Sequence, residues 1–462
     1  MCGIVGFVRK PKTVNALDLS EIVEFVSNIK EESLSEIKNE FVDQLVEYAN
    51  ETISLEGQIS LVQNKKTRHQ LGIKASELRI AVEAILLDKN LTEQAKEELL
   101  TINDAFWRIE KDACAGAEQI AALIAKQQND LTKVAPYVIA LYRSINLVLR
   151  SIDRIEVRGR DSAGISVALS GITLDSNDKD LISKRFSSVF ANSSARSAKD
   201  KDGNDLVYFV YKRAAEIGEL GDNVAFIRAA ITDDELLYDL ISRNTNVHET
   251  VLAHTRWASM GVISEENTHP LDSSETNGGD ENVVVLGALN GDIDNHNALR
   301  AECSIDKTIT TDAKLIPVLI KHEEESDQFD AFRKVVCRFE GSTAVASLIS
   351  RDPSNLYLAL RGGGQGLFIG LGDDEYIVAS EPYGVVEIAN QYVRIDGETP
   401  SNPDQPVTSR GQVFSLSSLN AGVLEGLRRD SYDGNALPLE SSDVITSEVT
   451  TRDIDRGDYE HY

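Results

Sequence analysis

The sequence predicts an α+β chain, a layered sandwich of strands and helices interrupted near its start by a large all-helical insertion. Three observations point there. Residues 2–8, CGIVGFV, form an apolar run bounded by basic residues, the pattern of a strand buried on both faces. No proline occurs between Pro11 and Pro136, and over 12–133 apolar residues recur at helical spacing. From Val251 onward short β-type runs alternate with turns (VLAHTRWAS, ENVVVLGALNG, STAVASLISR, LYLALRGGG, GLFIGLG, YIVASE), broken by one helix at about 312–322.

Each element follows from local pattern. Ile22, Phe25, Val26 and Ile29 make one helical stripe, Leu34, Ile37, Phe41, Leu45 and Tyr48 a second, and Leu78, Val82 and Ile85 continue it. Asn90 followed by Glu93 reads as a helix start. Heptads are not sustained, so several antiparallel helices are expected rather than one coiled coil. A further helix at 137–155 leads into VRGRDSAGISVAL, a glycine-interrupted strand. Residues 187–205 are polar and predict an exposed loop. The domain reading is therefore one discontinuous domain at 1–10 and 137–430, a helical insertion at 11–136, and a linker at 431–462.

Bulk composition narrows the function classes. The 462 residues are 42% hydrophobic, enough for a sizeable core, and 75 acidic against 47 basic residues give a net charge of −28. Such a field repels nucleic acid. No long apolar run predicts a membrane span, and the start lacks a secretory leader, so a cytoplasmic location is expected. Cys2, Cys114, Cys303 and Cys337 form no CxxC pair, and the seven histidines show no ligand spacing. No metal or cofactor is expected, and the three later cysteines read as buried core thiols.

Cys2 is different. Aminopeptidases remove an initiator Met before a small residue, which would give one residue both a thiol and a free α-amine. The thiolate is the attacking species, and an ordinary thiol needs a base at neutral pH. The alternative is a structural cysteine opening a strand. Asn290-Gly291 is likewise either a hairpin signal flanked by 283–289 or a pair of oxyanion donors. Arg256 and Asp312 read equally as surface ion-pair residues or as partners for charged ligand groups.

The ordered series MCGIVGF, RGRDSAGI (158–165), HTRWASMG (254–261), THP (268–270), NGDIDNH (290–296) and TTD (310–312) resembles the class II glutamine amidotransferases. HTRW together with NGxIxNH is most similar to the glutaminase domain of glucosamine-6-phosphate synthases. The resemblance covers residues 1–10 and about 137–462. It implies an N-terminal nucleophile (Ntn) hydrolase αββα sandwich. It also implies hydrolysis of the L-glutamine side-chain amide to glutamate and ammonia through a Cys2 γ-glutamyl thioester.

By the same resemblance Cys2 is the nucleophile, and Asn290 and Gly291 supply the oxyanion donors. Arg256 takes the substrate α-carboxylate, Ser259 supports it, and Asp312 takes the α-ammonium. Arg158, Asp161 and Trp257 line or gate the site, and His269, before proline, reads as structural. Fructose 6-phosphate enters as a partner only through an absent isomerase domain beyond the linker. Two residues depart from the family pattern: Met260 replaces a histidine and Arg160 an aromatic residue. The rival readings are an amidophosphoribosyltransferase-like glutaminase, an N-terminal-Cys hydrolase of another amide, and a non-catalytic scaffold module. The insertion, unmatched in the family, is expected to serve a protein partner or self-assembly.

Overall fold

The computed structural model describes residues 2–35, 39–186, 192–215, 219–276 and 282–455. The chain divides into two compact units, one of residues 2–11 with 147–449, the other of Lys12–Asn146 with Thr450–Asp455.

In the larger unit two antiparallel sheets lie face to face. Their strands are β1 (Gly3–Arg9), β2 (Ser162–Ile172), β3 (Ser193–Lys199), β4 (Asp205–Ala214), β5 (His248–Arg256), β6 (Leu271–Asp272), β7 (Val285–Gly291) and β8 (Thr343–Ile349). There follow β9 (Asn355–Arg361), β10 (Phe368–Gly372), β11 (Glu375–Ala379), β12 (Gln391–Arg394), β13 (Gln412–Ser417), β14 (Leu427–Ser431) and β15 (Val444–Thr446). One sheet runs β15-β12-β10-β11-β1-β5-β2-β4-β3, the other β14-β13-β9-β8-β7-β6.

β1 holds the middle of the first sheet because all seven of its residues are buried, as a run without polar alternation requires. Alternation then sorts its side chains. Ile4 and Val8 join Leu252 and Val378 against Leu286, Ala346, Leu358 and Phe414 of the second sheet, filling the space between sheets. At its far end Arg9 pairs with Glu249 of β5 at 3.0 Å, both buried. At its near end a Cβ on Gly3 would stand 2.5 Å from the Ile155 side chain and 2.9 Å from Thr255 Oγ1, so glycine lets the helix end pack closely beneath the strand.

Helices close both outer faces. Pro136–Ile155 opens on proline, whose fixed φ suits a first helical turn, and its last residues pack under β1. Asp222–Thr232 packs on β4 and β2. On the other side Leu315–His322 and Gln328–Cys337 lay Leu319, Phe332 and Val336 on Leu289, Val345 and Tyr357 of the second sheet. The result is an αββα sandwich.

The smaller unit is helical throughout: Ser20–Asn28, Asn39–Ile53, Leu55–Gln63, Lys65–Leu86 and Glu93–Trp107, a π-helical turn Arg108–Cys114, then Ala115–Ala125. Leu45, Ile59, Leu71, Leu78, Val82, Ile102, Phe106 and Ile120 are buried within it. Ile37 of the second sequence stripe lies outside the described residues. The helix near residue 90 starts later than expected, because Thr92, not Asn90, caps it by accepting from Ala95 N–H.

The structure corrects three further expectations. Within the expected loop 187–205, residues 193–199 form strand β3, an edge strand that buries only Ala195 and Ala198, and 200–204 turn into β4. Small polar residues suit an edge that must not recruit another strand, and they read as loop. Residues 187–191 lie outside the described set. The expected linker 431–462 starts on β14 and contains β15, which pairs with β12. Thr450–Asp455 then belongs to the helical unit, where Thr451 donates to Asp112 at 2.5 Å and Arg452 pairs with Asp104 at 2.5 Å. Of the three later cysteines only Cys114 is buried; Cys303 and Cys337 are half-exposed. Among the described residues no helix is long and apolar enough to cross a membrane.

Candidate active site

Strand register builds the site. Gly3 lies opposite Thr255 and Ser162 opposite Arg256, so the end of β5 emerges between the starts of β1 and β2. Cys2, one residue before β1, therefore meets the chain just past β5. Its Sγ accepts from Trp257 N–H at 3.3 Å and faces Trp257 O at 3.4 Å. Gly159 lets the RGRD turn press against this corner, since a Cβ there would stand 2.6 Å from the Arg256 carbonyl carbon. Asp161 then fastens the corner twice: its N–H donates to Arg256 O at 3.1 Å and its carboxylate accepts from Ala258 N–H at 2.7 Å. The Arg158 side chain lies outside the described residues.

Burial pushes the Cys2 thiol above its ordinary pKa, while the Trp257 N–H and the Arg256 charge pull it back and Asp292 adds to the rise. The thiol at rest is protonated at neutral pH, so attack needs a base. Arg256 is itself buried, which lowers its pKa, with Cys2, Asp312 and Asp161 opposing. Its guanidinium donates to Val262 O at 3.2 Å and to Met260 O. It thus pins the 260–262 turn while keeping Nε–H and a second hydrogen on each terminal nitrogen for a ligand. Trp257 is 55% exposed.

Asn290 and Gly291 end β7 in the other sheet. They form no hairpin, because the chain runs on into the helix His296–Arg300 and β7 pairs with β6 and β8. Asn290 is fully buried. Its Nδ2 donates to Ser380 Oγ at 2.8 Å, and Ile4 N–H donates to the same hydroxyl at 2.8 Å. One oxygen therefore ties the Asn290 amide to β1, two residues from Cys2. His254 Nε2 lies 3.0 Å from Asn290 Oδ1. Gly291 has φ +90°, and a Cβ there would stand 2.0 Å from Ser342 O.

Around these two residues lie the groups read as ligand partners. Ser259 donates to Asp292 at 2.7 Å. Asp312 accepts from Ile293 N–H at 2.7 Å, and burial, with nearby Asp292, raises its pKa. Asn267 Oδ1 fixes the approach to Asp312 by accepting from Thr310 and Thr311 N–H at 2.7 and 2.9 Å. His269 is buried and neutral, facing Thr311 Oγ1 at 3.5 Å. The structure thus brings Cys2, Asp161, Arg256 and Trp257 together at one corner and links Asn290 to β1 through Ser380. Ser259 reaches the segment after Gly291 through Asp292, and Asp312 does so through Ile293 N–H.

Sequence reading missed three residues here. His254 and Asp292 carried a signal, since each lies inside a motif already marked (HTRW, NGDIDNH). Ser380 had none: it enters the site only because β11 pairs with β1. No described group of His, Cys, Asp and Glu could hold a metal ion.

The central strand thus begins one residue after a cysteine, and the Asn290 amide reaches that strand through Ser380. The sequence comparisons bear out the resemblance to glutamine amidotransferases. Over 322 residues the chain is 26% identical to the glutamine–fructose-6-phosphate aminotransferase [isomerizing] of Geobacillus kaustophilus, covering 68% of this chain and 39% of the relative. The protein of that name from Idiomarina loihiensis is 28% identical over 231 residues, 49% of this chain and 33% of its own. The chain thus spans about two fifths of the length of the first of these curated relatives. A glutamine phosphoribosylpyrophosphate amidotransferase from B. subtilis overlaps 63% of this chain and 48% of its own at 18% identity and TM-score 0.39. No protein-family model matches the chain.

Proposed function

We propose that this chain hydrolyses the side-chain amide of L-glutamine and serves as the ammonia-supplying half of a glutamine–fructose-6-phosphate aminotransferase. The observation that carries the reading is Cys2 at the head of the central strand, joined to Asn290 through Ser380 and Ile4.

In this mechanism Cys2 Sγ attacks the amide carbon. Its proton passes to the Cys2 α-amine, exposed by loss of Met1, through one water, because thiol and amine of one residue align poorly. The carbonyl oxygen becomes an oxyanion between Asn290 Nδ2–H and Gly291 N–H. Collapse expels ammonia, which takes up the proton and leaves a γ-glutamyl thioester. Water then attacks the thioester, releasing glutamate and restoring the thiol. Arg256 takes the α-carboxylate with its outward hydrogens, and Asp312 accepts the α-ammonium; its raised pKa falls once that cation binds. Asp161 keeps the Trp257–Ala258 backbone in register beneath the sulfur, and exposed Trp257 covers the bound substrate.

Fructose 6-phosphate is the proposed acceptor, in accord with the relatives' name. The helical unit is assigned to assembly or a protein partner. The test is ammonia release from L-glutamine by protein lacking Met1. Turnover abolished by Cys2→Ala upholds the reading, whereas turnover that survives, or none in the parent, defeats it.

A further inference from the structure

Behind Asn290 lie buried groups that no step above uses. We propose that His254 is a positioning residue: it dictates which end of the Asn290 amide faces the thiol and so creates the oxyanion donor. This rests on the glutaminase reading.

Leu289 O lies 2.9 Å from His254 Nε2, and a carbonyl only accepts, so Nε2 carries the hydrogen. The same nitrogen stands 3.0 Å from Asn290, and a nitrogen that already donates must face an acceptor, so the amide presents Oδ1 there. The NH2 end is then turned towards β1. Ser380 takes one of its hydrogens at 2.8 Å. The other is left over, beside the strand that carries Cys2.

Ser380 cannot set this orientation by itself. Its hydroxyl faces Ile4 O at 3.4 Å, too long to hold the hydrogen there, so it can turn to donate to an amide oxygen as well as accept from an amide N–H. His254 cannot turn. Its ring is fully buried and 4.3 Å from the ring of His269. His269 in turn accepts from Leu289 N–H at 3.4 Å, so the two peptide groups flanking Leu289 are each held by one of the rings. The tautomer is equally fixed. Among the described residues His254 Nδ1 has no hydrogen-bond partner, and burial, only partly offset by the bonds to Leu289 and Asn290, lowers the ring pKa to about 3. The imidazole stays neutral at any working pH, with its one hydrogen on Nε2. Without that hydrogen the amide turns over, and its oxygen would confront the developing oxyanion.

The test compares three variants with the parent by kcat and KM for glutamine. His254→Gln keeps an N–H near the Nε2 position. His254→Asn is too short to reach it, and His254→Phe keeps the ring without the donor. Removing an oxyanion donor outright costs about 10²–10³ in kcat. A donor present only in a fraction of molecules should cost about 10–10²-fold in the Asn and Phe variants, with KM moving less than about threefold. The Gln variant should stay within about threefold of the parent. An aldehyde analogue of glutamine, whose thiol adduct carries the tetrahedral oxygen, should lose affinity in step with kcat while glutamate binding holds.

Equal losses in all three variants, or no loss in any, would overturn the positioning role. If the Phe variant does not fold, the Gln–Asn pair decides. A parent that releases no ammonia would sink the glutaminase reading and this proposal together. An active parent with indistinguishable variants would sink the proposal alone.

Discussion

Gly291→Ala probes the fold and the site through one added methyl. The new Cβ would stand 2.0 Å from Ser342 O and 3.1 Å from Ser342 C, on a residue whose φ is +90°. A carbon normally keeps about 3 Å or more from such an oxygen, so the end of β7 and residue 342 must separate by roughly 1 Å. The backbone angle costs about 1–2 kcal/mol for an L-residue, and forced displacement in a packed interior a further 1–3 kcal/mol or so. Stability should fall by about 2–5 kcal/mol. The same displacement moves the Gly291 N–H, and about 1 Å of misplacement near the chemistry costs on the order of 10²-fold. Equilibrium denaturation and steady-state glutamine hydrolysis on one preparation read both effects. A variant that loses stability but keeps kcat would remove Gly291 from the oxyanion hole. One that loses neither would contradict the local geometry.

Other expected outcomes follow from the same site and its surroundings. Asn290→Ala should lower kcat about 10²–10³-fold with a smaller change in KM, read by ammonia release. Arg256→Ala should mainly raise KM for glutamine, by about tenfold or more, because it removes the carboxylate partner and frees the turn held at Met260 and Val262. Lys314→Met should destabilise the protein by up to about 3 kcal/mol in urea titrations, because it removes a buried ammonium 3.1 Å from half-buried Asp272 and leaves that carboxylate with Arg196 alone. That gap should narrow in acid. Burial alone would raise Asp272, but Lys314 and Arg196 more than offset it and hold the carboxyl well below the usual range. Its contribution is therefore full above the unfolded pKa of about 4 and is lost as pH falls below it.

Much of the sandwich was legible because its signals are local. CGIVGFV has no polar alternation, and only a strand covered on both faces tolerates that. The helical unit showed itself by period, and the Asn290-Gly291 pair by residue type. Hidden features were those set by pairing across distance. β3 reads as loop because an edge strand of serine, alanine and lysine carries little hydrophobic signal. The helices Asp222–Thr232 and Glu235–Arg243 were not anticipated, although Asp234 caps the second by accepting from Leu237 N–H. Ser380 becomes a site residue only through the register of β11 on β1, which no spacing within YIVASE encodes. His254 was quoted within its motif, but a strand residue gives no sign that its ring crosses to the second sheet and meets Asn290.

The central claim is that Cys2 is the nucleophile. Cys114, Cys303 and Cys337 are the competing thiols, and burial pushes the first two up to about 12 and about 11. A diazo-ketone analogue of glutamine, followed by intact mass and peptide mapping, separates the possibilities directly. One adduct per chain, on Cys2, formed only in protein that lacks Met1 and suppressed by excess glutamine, is the expected result. An adduct on Cys114, Cys303 or Cys337, or none in protein that begins at Cys2, would contradict it.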